Sequence, residues 1–221
     1  MIGTNLKRAG VVACLVVCAA CAQVALVSAT PVIAALASHL DQTTSREIVD
    51  LDKKQDWPGM LSLARVLLQR EPGRSDWWFL QGYALSRLGQ HAEAVQSFER
   101  ATRISPEDEP AWLSLGQGYA ELGQTERAIR TYKDALRHRP ESAQAYQSLG
   151  DSYQKQNKLD LAASNYRECV RYDPEAAQCW YGLSRAYQGT GQRERRDEAL
   201  QGLRKLDPAV ADQLEKQYRS K

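Results

Sequence analysis

Residues 111–140 read AWLSLGQGYAELGQTERAIRTYKDALRHRP, and the reading of this stretch decides the fold. Gly116, Gly118 and Gly123 resemble the start of a glycine-rich loop that cradles a phosphate. A nucleotide fingerprint of that kind also needs a preceding strand and a βαβ setting, and no strand pattern is visible. The apolar spacing points to helix instead. Trp112, Leu115, Gly116 and Tyr119 recur at three- and four-residue steps, and after Gly123 so do Ala128, Ile129, Tyr132, Ala135 and Leu136. Two amphipathic helices follow. Gly123 ends the first, because glycine enters the left-handed region without a Cβ penalty. Gly116 and Ala128 are expected to be small because the two helices cross there.

The pattern extends outward in steps of 34 residues, which is the first thing to seek in a chain of this kind. Pro72, Pro106, Pro140, Pro174 and Pro208 lie in phase, as do Trp78, Trp112, Tyr146 and Trp180. Gly82, Gly116, Gly150 and Ser184 form a third series, Ala94, Ala128 and Ala162 a fourth, and Phe98, Tyr132, Tyr166 and Leu200 a fifth. Gly123 recurs as Gly89 and Gly191. Recurrence at helix-packing and helix-ending positions explains the glycines better than phosphate binding does.

Trp112-x-x-Leu115-Gly116-x-x-Tyr119, followed by Ala128-x-x-x-Tyr132 and Pro140, resembles the tetratricopeptide repeat (TPR), a 34-residue helix-turn-helix unit. The resemblance covers about three quarters of the chain. It implies an all-α, right-handed α-solenoid of TPR hairpins. The expected units are a degenerate repeat at 41–74, clear repeats at 75–108, 109–142 and 143–176, and a weaker one at 177–210. In that last unit Ser184 replaces the small glycine and Arg196 the expected alanine. A capping helix at 208–221 is expected to lay Val210, Leu214 and Tyr218 over the open end, since terminal units of a solenoid need a polar outer face.

In this family the fifth and ninth positions of each repeat commonly line the concave face. Here they are Phe79 and Tyr83, Leu113 and Gln117, Gln147 and Asp151, and Tyr181 and Arg185. The resemblance implies that these residues bind a partner protein, as an extended peptide or a helix. The alternative for each is packing against the preceding repeat or the apolar N-terminal region. The Lys-then-Asn pairs with which chaperone co-factors clamp a C-terminal carboxylate are missing from these positions.

Composition excludes several other classes. There are 29 Lys and Arg against 27 Asp and Glu, a net charge of +2, so no global field recruits nucleic acid. His39, His91 and His138 are isolated, with no HExxH and no ligand-spaced carboxylates, so no metal site and no cofactor are expected. No nucleophile elbow or Cys–His arrangement suggests an enzyme, and no catalytic residue is assigned.

The first forty residues (1–40) form a different regime. Lys7 and Arg8 precede AGVVACLVVCAACAQVALV at residues 9–27, and no charged residue follows until Asp41. Such a segment directs export, as a signal peptide or a membrane anchor. Cleavage after Val27-Ser28-Ala29 or Ala20-Cys21-Ala22 is the leading expectation; retention as an anchor and lipidation of Cys21 are the alternatives. The domain is expected to be periplasmic or membrane-anchored on the non-cytoplasmic side.

Cys169 takes the place of Ala101 and Ala135 in neighbouring units, and Cys179 lies across a short turn from it. The two are either a disulfide, as an oxidising compartment would allow, or two small buried side chains. The resulting expectation is a non-catalytic scaffold or adaptor at the cell envelope. The alternatives are a self-associating structural module and a lipoprotein of pilus or secretion-channel assembly, the last on family resemblance alone.

Overall fold

The computed structural model describes residues 31–38 and 40–219. No strand occurs among them. The helices are α1 (31–37), α2 (Gln42–Lys54), α3 (Trp57–Arg70), α4 (Ser75–Arg87), α5 (His91–Ile104), α6 (Glu109–Glu121), α7 (Thr125–His138), α8 (Ala143–Lys155), α9 (Leu159–Tyr172), α10 (Ala177–Gly189), α11 (Arg193–Leu206) and α12 (Pro208–Arg219). The chain divides into two compact units, up to Leu63 and from Ala64 onward, with α3 running across the boundary.

In the first unit, Asp41 caps α2 by accepting hydrogen bonds from the backbone N–H groups of Thr43 and Thr44, both at 3.0 Å. Those bonds hold its carboxyl below the ordinary aspartate value. The helix ends at Gln55, which has φ 53°. Pro58 falls in the first turn of α3, where its missing N–H would have had no partner within the helix. Ile33, Ile48 and Met60 are buried.

The second unit is a solenoid of the pairs α4–α5, α6–α7, α8–α9 and α10–α11, closed by α12. Each second helix packs on the first helix of the next pair, and the first helices α4, α6, α8 and α10 also touch one another in succession. The second helices make no comparable approach. Inner helices that sit closer together than outer ones give the unit a concave face.

The phased residues have specific physical duties. A Cβ on Gly116 would lie 2.2 Å from the Tyr132 ring, one on Gly82 2.7 Å from Phe98, and one on Gly150 2.6 Å from Tyr166. What demands a small residue is therefore the aromatic ring of the second helix, and not a backbone crossing as the sequence suggested. The first helices of three pairs end at Gly89, Gly123 and Gly191, with φ between 71° and 76°; in α8–α9 Asn157 does the same at φ 56°, being one of the few non-glycine residues that tolerate that region.

Proline and tryptophan keep phase with each other for a reason the pattern alone does not show. The indole N–H groups of Trp78, Trp112 and Trp180 donate to the carbonyls of Pro72, Pro106 and Pro174 at 2.8 to 2.9 Å. Each such bond ties the inter-repeat turn to the next helix at roughly 1 kcal/mol. Tyr146 lacks an indole N–H and instead stacks on Tyr172, 5.7 Å between centroids.

The C-terminal end is closed by Ala211 and Leu214, which are buried against Leu200 and Leu203, with Val210 and Tyr218 at the margin. Both departures of the last pair from the repeat pattern meet Tyr218. Its hydroxyl lies 3.1 Å from Ser184 Oγ, and the Arg196 guanidinium sits 5.4 Å above its ring. Arg204 links α11 to α12 through Asp212 and Glu215.

Candidate functional site: the concave face

The inner helices position the eight residues singled out in the sequence, and the structure divides them. Phe79 and Tyr83 on α4 are 2% and 8% exposed. Phe79 packs against Phe98 at 5.7 Å and Tyr83 at 6.5 Å between centroids. They belong to the core and offer a partner no rigid aromatic surface, which corrects the expectation for this end of the groove. No local signal in the sequence marked it, since the burial rests on Phe79 meeting Phe98, the other phenylalanine of the chain, nineteen residues on.

Leu113 and Gln147 are half-buried, and Gln117 is exposed, with its amide donating to Glu121. Tyr181 is half-buried and Arg185 exposed; the guanidinium lies 5.6 Å from the Tyr181 ring. Such a stack holds the cation in place while leaving its outer edge free.

Asp151 is exposed yet sits inside the concavity, where it accepts a hydrogen bond of 2.6 Å from the Tyr166 hydroxyl. Surrounding protein raises its carboxyl above the ordinary aspartate value, against the lowering effect of the Tyr166 bond and Lys155. Tyr166 is itself buried beneath Asp151, and burial with the neighbouring carboxylate pushes its phenol well up. Among the described residues, neither the Asp151 carboxylate nor the Arg185 guanidinium is drawn into a close salt bridge, although Lys155 on the same helix acts on Asp151 from further off. Consecutive inner helices, α8 and α10, thus present one open anion and one open cation.

A second polar cluster, unmarked in the sequence, lies between α5, α6 and α7. Tyr119 donates to Glu99, Arg127 donates to the Tyr119 oxygen at 2.7 Å, and its guanidinium lies 4.1 Å over the Tyr119 ring. Burial and Glu99 push the Tyr119 phenol up to about 12. All three partners are satisfied by one another, so the cluster joins repeats and leaves little for a ligand.

Cys169 and Cys179 are joined as a disulfide, with their Cα atoms 6.1 Å apart. His138 is exposed and stacks on Trp112 at 5.6 Å; His91 is half-buried at the start of α5. Among the described residues, no group of three or more His, Cys, Asp or Glu side chains could hold a metal ion, and no helix is long and apolar enough to cross a membrane. The apolar segment 9–27, Cys21 and His39 lie outside the described residues.

Two family models described as tetratricopeptide repeat match residues 85–151 and 148–210. Together they span 85–210, more than half of the 221 residues. The chain belongs to the tetratricopeptide repeat family. Among solved structures it is similar to MamA, at 20% identity over 77% of this chain and 96% of that one, with a TM-score of 0.63. It is also similar to YrrB, described as a TPR protein with an unusual peptide-binding site, at 21% identity over 75% and 87% of the two chains and a TM-score of 0.61. A third is TTC0263, a thermophilic TPR protein in Thermus thermophilus, at 18% identity over 78% and 93% with a TM-score of 0.58. These likenesses speak to the fold. No curated protein matches the chain.

Proposed function

We propose that this protein is a non-catalytic scaffold that holds a peptide or helix of a partner protein on the concave face of its solenoid. The observation that carries the reading is the C-terminal half of that face, where Asp151 and Arg185 stand open on adjacent inner helices beside half-buried Tyr181. An anion and a cation fixed one repeat apart, with apolar area between, select a segment bearing complementary charges at matching spacing. The peptide-binding site named for YrrB is compatible with this use of the fold.

We place the work of the scaffold at the cell envelope, in the assembly of an envelope complex. The support is the charge-free apolar segment following Lys7 and Arg8 and the Cys169–Cys179 disulfide, a bond that persists in oxidising compartments. Affinity capture from envelope extract tests the binding reading, comparing the wild type with an Asp151→Lys, Tyr181→Ala, Arg185→Glu variant of unchanged melting temperature. A protein retained by the wild type and lost by the variant supports it. Equal retention by both removes the concave face from the function. Phe79 and Tyr83 do not belong in such a variant, because truncating them tests the core.

A further inference from the structure

At each inter-pair junction of the solenoid, two buried positions ten residues apart come from the second helix of one pair and the first helix of the next. They are Ala101 and Ala111 between α5 and α6, Ala135 and Ala145 between α7 and α8, and Cys169 and Cys179 between α9 and α10. Four of these six are alanines no more than 2% exposed, and the two cysteines are 1% and 0% exposed. Alanine at the first two junctions shows that packing alone is served by a methyl group. The bond at the third is therefore an addition to the fold's ordinary junction and not a requirement of it.

Its position in the contact order gives the addition a consequence. In a solenoid, stability is carried by each unit and its interface with the next. Here α11 packs on α10 and α12, while α10 alone makes the broad contacts back to α8 and α9. Everything beyond residue 176 thus hangs on one junction. Gly182 helps to form it by admitting the Tyr166 ring, since a Cβ there would lie 2.5 Å from that ring. The disulfide is the covalent part of the same junction.

We propose that the Cys169–Cys179 disulfide is a redox-dependent lock that holds α10, α11 and α12 on α8–α9 and so fixes Tyr181 and Arg185 relative to Asp151. Cys179 precedes Tyr181 and Arg185 by two and six residues on the same helix, so whatever frees α10 moves half of the open charged pair. A dithiol reductant breaks the S–S bond; each sulfur gains one electron and one proton, and the reductant closes to its own disulfide. Because both sulfurs are buried, the reductant gains access only when the junction opens. Afterwards nothing covalent returns α10 to its place.

Hydrogen exchange of the full chain, oxidised and after treatment with dithiothreitol, tests the lock. Amides of α10–α12 should exchange at least ~10-fold faster after reduction, while those of α4–α7 stay within ~2-fold. The Cys169→Ala, Cys179→Ala variant restores the pair used at the other junctions and should match the reduced protein helix by helix, which separates the loss of the bond from any packing fault. Reduction of the native protein should also be at least ~100-fold slower than of the urea-unfolded chain, since burial makes opening a prerequisite. Unchanged exchange on reduction, loosening spread evenly over α4–α12, or native reduction as fast as in urea each overturns the proposal.

Discussion

The two ends of the concave face use the same repeat positions for opposite purposes. On α4 the fifth and ninth residues, Phe79 and Tyr83, turn into the core, Phe79 beside Phe98; on α8 and α10, Asp151 and Arg185 face solvent. Position in a repeat fixes which helix face a residue occupies, but what fills the neighbouring space decides whether that face is open. Burial of an aromatic ring stabilises by several kcal/mol, whereas an exposed charge contributes little to folding and remains available for a partner. The exposed charge of this face at the ninth positions is therefore concentrated toward the C-terminal end.

The sharpest way to break this comparison is to truncate one residue from each end. Phe79→Ala should cost about 3–5 kcal/mol of stability in urea titration, as removal of a buried ring does. Arg185→Ala should leave stability within about 0.5 kcal/mol while weakening partner capture. A mild Phe79 variant or a strongly destabilised Arg185 variant would invert the assignment of core and surface.

A somewhat smaller loss is expected at Gly116. Gly116→Ala puts a methyl group against the Tyr132 ring and should cost ~1–3 kcal/mol, although alanine is otherwise the better helix former. Gly123→Ala meets no neighbour within 4 Å, so its cost should come from the φ of 71° alone. Tyr218→Phe, which removes the hydroxyl beside Ser184, should lower stability by about 1 kcal/mol and leave the hydrogen exchange of α4–α7 amides unchanged.

The smallest effect concerns Asp151. Its carboxyl is raised in the folded protein, so the folded state binds that proton more tightly than the unfolded state. The ionised form is thus a small liability at neutral pH, relieved as the pH falls through the raised value. Asp151→Asn should raise the melting temperature slightly at pH 7, and the gap should close on acidification. A gap that widens in acid would mean that the Tyr166 bond, and not enclosure, governs this carboxylate.

The repeat and its helices were legible because their causes are local. Three- and four-residue apolar spacing, a glycine at three of the solenoid's four sharp stops and a 34-residue period need only the chain's own order. The candidate face was legible in outline, since Leu113, Gln117, Gln147, Asp151, Tyr181 and Arg185 could be named from spacing and family resemblance. The burial of Phe79 and Tyr83 was not, because it depends on the Phe98 ring, nineteen residues from Phe79, packing against it. Asn157 carried no strong signal either; it stands where the other pairs have glycine and does the same work through an allowed but rarer backbone state.

By itself, then, the sequence determined a helical hairpin repeated at fixed period, the residues that must be small and the order in which units stack, since each follows from side-chain volume and spacing along one covalent chain. Only the tertiary structure decided that Ser184 and Arg196 are answers to Tyr218 from α12, that Pro72, Pro106 and Pro174 serve as acceptors for indole N–H groups, and that one junction in three is covalently closed. These depend on which atoms from distant helices come within a few ångströms of one another, and short-range forces register that distance and nothing of the separation in sequence.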